Sequence, residues 1–600
     1  MAAAFLILSA DGEAARDRLA AAAARLAGEG AWRPAGRCGA ATVWTPRAAP
    51  SPVLAADPDL LVLGRGLFGR SAGRPSPGAA GSGPDAELGA PRLMRLLREA
   101  WGEYVALARD RAGGHLLLRD PSGGVEGLTW RTREGLAVAA DALDGVPAWL
   151  SPPRQALNWD RIAAFLNATS AGASASLFDG VDALPPGAVA RLGDGARPRL
   201  AWRPAEFVGD PVTDLAGAAG ELVRRVDAAT AGLVEGHPRL VFELSGGLDS
   251  SIVAASLAAV GGLGRVATWY NGVGDRPEGD ERAYARAVTD RLGVTPTFVR
   301  KRIRPLTEAD FTELARGFRP ATSGVDAGRD RDMVALVAAA RATAVLCGQG
   351  GDAAFYQMPS SWLVTDLLRR DGLAAVFSPG VAALARRRRA PAWRILREAL
   401  EGLRRTAQPP RANRLLTPAA AAHAEAARHP WEADSLELPL AKQLQVRGLA
   451  QAHATRSPSR RAARVPLLCP LMAQPVTELC LAIPAVDLAL GVQDRPFARR
   501  AFAARLPPPV RERRSKGAIT AYFARLMFES AEALRPFLAD GVLAEAGVLD
   551  RDAVVRAFAP ETLIHAPRPS ELLMAAATEA WVRYWQTRVP DSPQARRGAR

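Results

Sequence analysis

The chain has 600 residues, of which 48% are hydrophobic and 23% are charged, and this length and composition predict a globular protein of two or more domains. Its formal net charge is +15, but the excess is almost entirely arginine scattered along the chain without an aromatic-rich RNA-binding motif, so we expect no nucleic-acid partner. No apolar run approaches the roughly 20 residues that a membrane helix needs, so we expect no membrane insertion. Four cysteines without a close pair at metal-ligand spacing argue against zinc and against a disulfide framework, which favours a cytoplasmic location.

Short segments of alternating polarity, separated by Gly-rich turns, dominate residues 1–205. The clearest are residues 104–108, 115–120 and 136–143, and they predict a mostly antiparallel β domain with helices. The opening residues, MAAAFLILSA, contain an apolar stretch without preceding basic residues, which favours a first β-strand over a signal peptide.

Strands and helices alternate from about residue 207 onward. Four apolar runs predict strands, at residues 239–244, 265–272, 295–302 and 343–349. Such alternation is typical of right-handed βαβ units, so we expect a parallel sheet with ligands at the carboxyl ends of its strands. The segment from about residue 360 to the end is rich in Ala, Leu and Arg and predicts mostly helix. The predicted fold class is therefore α/β, with a domain at 1–205 followed by a domain at 206–600.

One predicted strand ends in a glycine-containing loop that leads into a helix, in the sequence RLVFELSGGLDSS at residues 239–251. The backbone N–H groups of such a loop and the positive end of the helix dipole suit the phosphates of a nucleotide. The glycines let the backbone approach closely, the serines offer hydroxyls, and Asp249 offers a carboxylate to Mg2+. The pattern resembles the PP-loop of ATP pyrophosphatases and differs from a Walker A loop, because no Gly-Lys-Ser/Thr follows. The residues predicted to hold ATP here are Leu244, Ser245, Gly246, Gly247, Asp249 and Ser250.

A second loop of the same kind follows another apolar run, in ATAVLCGQGGDAAF at residues 342–355. In a parallel sheet both loops emerge on one edge, so we expect Gly350 at the nucleotide and a Mg2+ shared by Asp249 and Asp352. The simpler alternatives are a tight turn for the first loop and a helix-capping Asp for the second, because both are common.

Five segments resemble, in order, the landmarks of asparagine synthetase-like proteins. They are SGGLDSS at 245–251, GDERAYA at 279–285, CGQGGDAAF at 347–355, RVPLLCPL at 464–471 and RRSKG at 513–517. In the first domain, RDPSG at 119–123 and LFDGVDALPPGAVARL at 177–192 resemble elements of the glutaminase-type, Ntn-like α+β domain of that family. The resemblance implies a degenerate glutaminase-like domain followed by an ATP-binding synthetase domain with a helical C-terminal part.

Three departures from the family pattern bear on the reaction. Glutamine-hydrolysing members need an N-terminal Cys as nucleophile, and the second residue here is Ala2, so we expect no glutaminase activity. The loop GQGGDAA lacks the Glu that asparagine synthetases carry, and Cys469 stands where they have Asp. These departures argue against the conversion of aspartate to asparagine.

β-Lactam synthetases and lasso-peptide cyclases are branches of the family that lack the Cys and close an amide bond within one substrate. The combination of GQGGD, residues 464–484 and RRSKG is most similar to lasso-peptide macrolactam synthetases. The resemblance implies adenylation of an Asp or Glu side chain of a precursor peptide, followed by attack of its N-terminal amine to give a macrolactam, AMP and pyrophosphate. It also implies ATP and Mg2+ as cofactors and a leader-peptide-binding protease as partner. The alternatives are an ammonia-dependent asparagine synthetase, a β-lactam synthetase-like enzyme, a tRNA-modifying PP-loop enzyme and a non-enzymatic scaffold.

Basic residues stand out at two further places. Lys516 in RRSKG is one of only three lysines in the chain, and a compact cation suits the charge that develops on a tetrahedral intermediate and on a leaving phosphate. Lys516 is therefore the predicted catalytic residue. Arg386 to Arg389 are four arginines in a row and indicate a surface where an acidic partner or peptide docks.

The sequence leaves the general base unassigned. Tyr356 lies close after the second loop, where packing explains it equally well. For Asp280 and Glu281, which precede a predicted helix, helix capping is the favoured interpretation. Arg499 and Arg500 suit either phosphate contact or a solvent-facing surface.

Overall fold

The computed structural model describes residues 3–10, 13–48, 52–70, 89–152, 156–193, 195, 197–274, 279–322, 326–408, 413–425, 427–456, 459–514 and 519–588. Within these ranges the chain is a mixed α/β protein with two six-stranded antiparallel sheets, one five-stranded parallel sheet and one two-stranded ribbon. The predicted α/β class with a parallel sheet is confirmed. None of the helices in the described ranges combines the length and hydropathy that a membrane span requires.

The strands share a short length, mostly four to ten residues. In chain order they are β1 Leu6–Ser9, β2 Trp32–Cys38, β3 Ala41–Pro46, β4 Val53–Asp57, β5 Leu60–Gly69, β6 Ala100–Arg109, β7 His115–Arg119, β8 Leu128–Arg131, β9 Ala137–Ala140, β10 Ala156–Leu157, β11 Phe178–Asp179, β12 Asp182–Ala183, β13 Ala188–Arg191, β14 Arg199–Leu200, β15 Leu240–Glu243, β16 Val266–Val273, β17 Pro296–Arg300, β18 Ala344–Cys347 and β19 Leu467–Leu468.

Most of the helices follow β14. In chain order the α-helices are α1 Glu13–Glu29, α2 Ala90–Glu99, α3 Trp159–Asn167, α4 Thr169–Ala173, α5 Pro204–Gly209, α6 Leu215–Glu235, α7 Leu248–Ala259, α8 Arg282–Leu292, α9 Glu308–Thr312, α10 Ala327–Ala339, α11 Gly351–Ala354, α12 Trp362–Asp371, α13 Pro379–Arg388, α14 Ala392–Leu403, α15 Pro418–Glu425, α16 Pro430–Asp434, α17 Leu440–Ala454, α18 Gln474–Ala482, α19 Ala485–Ala489, α20 Pro496–Ala501, α21 Pro508–Arg511, α22 Ile519–Glu529, α23 Ala531–Ala539, α24 Val542–Glu545, α25 Arg551–Ala557, α26 Pro560–His565 and α27 Pro569–Gln586.

The first two hundred residues form two antiparallel sheets, with strand orders β12-β8-β9-β1-β3-β2 and β14-β13-β7-β6-β5-β4. Successive side chains of a strand point to opposite faces, and accordingly Leu6 and Leu8 of β1 join one apolar cluster whereas Ile7 joins another. The cluster around Ile7 also contains Leu61 and Leu107 of the second sheet. The two sheets therefore pack face to face.

The parallel sheet has the order β17-β16-β15-β18-β19, with β15 at its centre. In β15, Val241 and Phe242 are fully buried and belong to different apolar clusters, which shows that helices cover both faces. A strand covered on both faces is expected to be mostly apolar, and β15 is apolar from Leu240 to Phe242. The carboxyl end of each strand points to the same edge of the sheet.

The two halves of the chain share their apolar cores. The largest cluster combines Trp202 with Trp431, whose ring centroids lie 5.1 Å apart. A second cluster combines Phe178 with Trp581 of α27, and their centroids are also 5.1 Å apart. Aromatic contacts of this size bury large apolar areas, so the antiparallel sheets and the helical part pack as neighbours.

The run of four arginines lies at the end of α13. Arg387 donates hydrogen bonds to the backbone oxygens of Ala489 and Gln357, at 3.0 and 3.1 Å, and Arg388 pairs with Glu398. Arg386 and Arg389 are exposed. Two of the four side chains therefore hold the helical part together, and docking of an acidic partner at the other two stays a prediction.

Candidate functional site

Two loops meet at the carboxyl edge of the parallel sheet. The first connects β15 to α7, and the second connects β18 to α11. Because β15 and β18 are hydrogen-bonded neighbours in parallel orientation, the loops emerge side by side, as the sequence predicts. At this edge the amino ends of α7 and α11 face the same space, which suits the binding of an anion.

In the first loop the backbone lies close to the start of α8, and two serine hydroxyls lie close to each other. Gly246 has a φ of +79°, and a Cβ at this position would lie 2.8 Å from the backbone N of Ala285, so only glycine fits. The hydroxyls of Ser245 and Ser250 lie 3.0 Å apart. Leu244, which carries the loop, accepts a hydrogen bond of 2.7 Å on its carbonyl oxygen from the side chain of Asn271.

The second loop packs directly on the first. A Cβ on Gly348 would lie 2.5 Å from the backbone N of Ser250, and a Cβ on Gly351 would lie 2.5 Å from Oδ1 of Asp249. Gly350 has a φ of +94°, and its added Cβ would lie 2.2 Å from Cγ of Met472. The glycines of the second loop are thus needed for contact with α7 and with the 3-10 helix Pro470–Met472.

The two predicted metal ligands, Asp249 and Asp352, lie together. Both carboxylates bind the same nitrogen of Arg495, at 2.6 Å from Oδ2 of Asp249 and 2.6 Å from Oδ1 of Asp352. A positive group therefore fits between them. The described ranges contain no cluster of three or more His, Cys, Asp or Glu side chains that suits a metal. Magnesium is usually held by one or two carboxylates together with phosphate oxygens and water, so this pair fits Mg2+ that arrives with a nucleotide.

Arg495 is held in place from its own side. It precedes α20 with a φ of +52°, and its side chain is 4% exposed. Asp494 pairs with Arg495 at 2.7 Å and with Arg499 at 2.6 Å. Although burial opposes it, these two guanidinium groups lower the pKa of Asp494 to about 2. Arg499 also donates to the backbone oxygen of Val510 at 2.8 Å, so it serves this network and does not face solvent.

A buried ion-pair network supports the strand that carries the first loop. Glu243, the last residue of β15, pairs with Arg329 and with Arg461, each at 3.0 Å. Burial raises the pKa of Glu243, but Arg329 and Arg461 outweigh it and the pKa is lowered. Asp330 accepts hydrogen bonds from the backbone N–H groups of Arg460 and Arg461. The network ties α10 and the residues before β19 to the base of the loop.

Glu281 departs from the capping role favoured by the sequence. It stands at the amino end of α8 without capping it through its side chain, and it pairs with Arg513 at 2.6 Å. The Arg513 guanidinium also lies 4.0 Å from the ring centroid of Tyr284. The backbone oxygen of Glu281 lies 3.1 Å from the point where Gly246 would carry a Cβ. The segment that ends at Arg514 is thereby held beside the first loop, and Lys516 lies outside the described residues.

The other residues that the sequence suggested lie in the core or on the surface. Tyr356 is 2% exposed within the largest core cluster, where burial raises its pKa. Arg500 is exposed on α20. Cys347 and Cys469, at the ends of β18 and β19, are free buried thiols whose sulfurs lie 3.6 Å apart. The sequence did not predict Arg495 as a site residue. No motif contains it, and one more arginine beside Pro496 does not stand out in a chain rich in arginine.

A parallel sheet with a serine and glycine loop at the amino end of a helix, and two carboxylates at the same edge, defines an α/β nucleotide-binding protein. A family model described as "Asparagine synthase" matches residues 221–583, more than half of the chain, so this protein belongs to the asparagine synthase family. Enzymes of this family use ATP, and membership makes the chain an ATP-dependent amide-forming ligase. No curated protein was found that matches it.

Proposed function

We propose that this ligase closes a macrolactam ring in a precursor peptide. ATP activates an Asp or Glu side chain of the peptide as an acyl adenylate, and the peptide's N-terminal amine attacks it to form the amide, with release of AMP and pyrophosphate. The observation that carries the proposal is the meeting of both loops and both aspartates at one sheet edge, in a member of a family of amide-forming ligases.

We assign a separate role to each part of the site. The loop after β15 and the amino end of α7 bind the phosphates through backbone N–H groups. Asp249 and Asp352 would hold Mg2+, which would supply positive charge to the pyrophosphate, and Lys516 stabilises the charge on the tetrahedral intermediate and on AMP. Each group acts where negative charge develops, which is the requirement for lowering the barrier of acyl transfer.

Glutamine is not proposed as the nitrogen source. Cys38, the cysteine of the first two hundred residues, is buried in β2 and donates to the backbone oxygen of Leu107 at 3.6 Å. Burial raises its pKa to about 12, so it stays a thiol and is a poor nucleophile. An amine that the substrate itself carries removes the need for such a group.

We propose two further properties of the working enzyme. A protease that binds the leader segment and frees the peptide's N-terminal amine is the expected partner, since the amine exists only after cleavage. A cytoplasmic location is expected from the use of ATP and from four free thiols.

Mass spectrometry tests the reaction. The purified protein is incubated with ATP and Mg2+ and offered, in parallel, aspartate plus ammonia and a set of N-terminal-Gly peptides with an internal Asp or Glu. Loss of one water from a peptide, with one AMP formed for each ring, supports the proposal. Asparagine instead, or a peptide left linear while AMP accumulates, contradicts it.

Lys516→Ala tests the predicted catalytic cation. The rate of ring closure should fall by about a hundredfold or more, because removal of one group that stabilises the developing charge has costs of this order. ATP affinity, measured by isothermal titration calorimetry, should change little. Arg404→Ala, which removes an exposed cation on the surface next to α14, is the control and should keep full activity. An unchanged rate in Lys516→Ala removes this residue from the mechanism.

A further inference from the structure

A second lysine stands at the edge of the sheet where the loops meet. Lys301 directly follows β17, and its backbone N donates to the carbonyl oxygen of Val273 at 2.8 Å. Since β17 is parallel to β16, the end of β17 lies on the same edge as the two loops. Lys301 is therefore on the side of the sheet where the proposed nucleotide site lies.

The side chain of Lys301 crosses over β16 toward a tyrosine hydroxyl. A Cβ on Gly272 would lie 2.6 Å from Cε of Lys301 and 2.9 Å from Oη of Tyr270. The absence of a side chain at Gly272 is what allows the lysine and the hydroxyl to approach each other. On its other side, Nζ of Lys301 lies 5.7 Å from the ring centroid of Tyr522.

Neither polar group makes a hydrogen bond or an ion pair with another described side chain. Tyr270 is 3% exposed, and its hydroxyl makes no hydrogen bond there. Lys301 is partly buried and forms no ion pair with a described carboxylate. A buried hydroxyl without a partner is costly, and this one lies beside a lysine at the edge of the sheet, so it is available to donate to a ligand group.

The two arginines near Lys301 already pair with a carboxylate of the protein. Arg329 pairs with Glu243, and Arg461 pairs with the same carboxylate. Burial, and next the charge of Arg329, lower the pKa of Lys301, while Asp326, Glu281 and Glu243 oppose this. Burial raises the pKa of Tyr270 to about 12, so its hydroxyl stays protonated and can donate. An arriving carboxylate would favour the charged form of the lysine and accept from both groups.

We propose that Lys301 and Tyr270 bind the carboxylate of the acyl substrate and orient it toward ATP. This inference deepens the function proposed above and rests on it. The bound carboxylate oxygen forms a bond to the α-phosphorus, the bond from that phosphorus to the bridging oxygen breaks, and pyrophosphate leaves with the electron pair. Two donors from neighbouring strands fix the carboxylate in one orientation, which is the geometric requirement for an in-line attack.

Kinetics separates this role from a structural one. Lys301→Met and Tyr270→Phe should each raise the KM for the peptide about tenfold or more and leave the Kd for ATP nearly unchanged, because only the acyl substrate loses a charge-assisted or neutral donor. Lys301→Arg should recover part of the loss. Tyr270→Phe should unfold at the wild-type temperature or higher, since the hydroxyl it removes has no described partner. A peptide KM that is unchanged in both variants overturns the inference.

Lysine labelling gives a readout that needs no turnover. The chain contains only Lys301, Lys442 and Lys516, so brief acetylation followed by mass spectrometry resolves each one, and Lys442, which is 3% exposed, is an internal reference. With α,β-methylene-ATP and Mg2+ present, an N-terminal-Gly peptide with an internal Glu should slow the labelling of Lys301, and the same peptide with Gln should not. Equal labelling with both peptides overturns the inference. Protection by the Glu peptide, in an enzyme that closes no ring, would leave this site standing while the proposed reaction fails.

Discussion

Arg495 sets the charge balance of the candidate site. Its guanidinium neutralises Asp249 and Asp352, which are close enough to bind one nitrogen atom and would otherwise repel each other. A Mg2+ ion that binds both carboxylates must therefore replace part of this contact. We infer that the arginine keeps the two aspartates together until the metal arrives with ATP.

Arg495→Met removes this internal cation. The free energy of unfolding should fall by about 1–2 kcal/mol, because Asp249 and Asp352 lose the buried guanidinium that lies between them and Asp494 loses one of its two arginines. Millimolar Mg2+ should restore part of the loss in the variant and have little effect on the wild type. Thermal unfolding with Mg2+ and with EDTA measures both effects.

Arg500→Met is the matched control, since Arg500 lies on α20, the helix that Arg495 precedes, but is exposed. Its unfolding temperature should stay close to that of the wild type. If Arg495→Met were as stable as this control, or ignored Mg2+, the guanidinium would not be acting as the counter-charge of the two aspartates.

Asp366 makes stability depend on pH. It accepts a hydrogen bond of 3.0 Å from the backbone N of Ala441, while its other oxygen has no hydrogen-bond partner in the described part of the chain and lies 3.8 Å from Arg369. Burial raises its pKa to about 6. The folded protein thus holds this proton more tightly than the unfolded chain, so the contribution to stability is present below about pH 4 and is lost as the pH rises through 6.

Asp366→Asn removes that titration. Relative to wild type, the variant should be more stable at pH 7.5 than at pH 4.5 by about 1–2 kcal/mol, because wild type alone loses stability over this window. Urea unfolding at the two pH values measures the difference. Glu401→Gln, at an exposed carboxylate on α14, is the control. The same difference in both variants would show that Asp366 does not titrate near pH 6.

At the scale of elements, the site is made by two loops that are each other's packing surface. The backbone of the second loop lies against the first turn of α7, with room for no side chain at Gly348. The position of the first loop, the proposed phosphate-binding turn, is therefore set by a segment about one hundred residues further along the chain. If the first loop binds the nucleotide as proposed, we expect the glycines of the second loop to matter for that binding as well.

Gly348→Ala tests this coupling. The added methyl would lie 2.5 Å from the backbone N of Ser250 and 2.7 Å from the backbone C of Asp249, and neither backbone atom can move without shifting α7. We expect the Kd for ATP to rise about tenfold or more and the unfolding temperature to fall by several degrees. Gly264→Ala is the control, because no atom lies within 4 Å of its added Cβ. An unchanged ATP affinity in Gly348→Ala would show that the loops tolerate separation.

Much of the candidate site can be predicted from local patterns in the sequence. The two loops were predictable because each joins an apolar strand to a helix through glycine, and parallel pairing then brings Asp249 and Asp352 together. Arg495 and Lys301 were not predictable as site residues, since each reaches the site through tertiary packing: one through a left-handed backbone conformation before α20, the other through the gap above Gly272. The Ala-rich helices beyond residue 360 were predictable as a class, but their many short lengths depend on tertiary contacts.

At the scale of the whole molecule, buried ion pairs join the antiparallel sheets to the synthetase part. Arg456, just beyond α17, pairs with Glu103 of β6 and donates to the backbone oxygen of Ser122 at 3.0 Å. Against the effect of burial, Arg456 lowers the pKa of Glu103. Glu126 and Arg319 form a second pair across the same boundary, at 2.8 Å. With the shared aromatic clusters, these contacts predict a single cooperative unfolding transition.

Arg456→Met should lower the free energy of unfolding by about 3–5 kcal/mol, because it leaves the Glu103 carboxylate buried without its main partner. Differential scanning calorimetry would show this as a lower unfolding temperature, or as two separated transitions. Arg203→Met is the comparison: Arg203 pairs with Asp434 at 2.7 Å but is 46% exposed, so its loss should cost less than about 1 kcal/mol. If both variants lost the same free energy of unfolding, burial of the Arg456 ion pair would not add to its stabilising effect.

The shared cores also bear on how such a protein can be rebuilt or inherited. Trp202 packs on Trp431 and Phe178 packs on Trp581, so a chimera that replaces residues 1–205 of this chain replaces one ring of each aromatic pair. A chimera that folds well should keep both members of each aromatic pair and both members of the Glu103–Arg456 ion pair. Substitutions in one half of this chain are therefore expected to require matching substitutions in the other half.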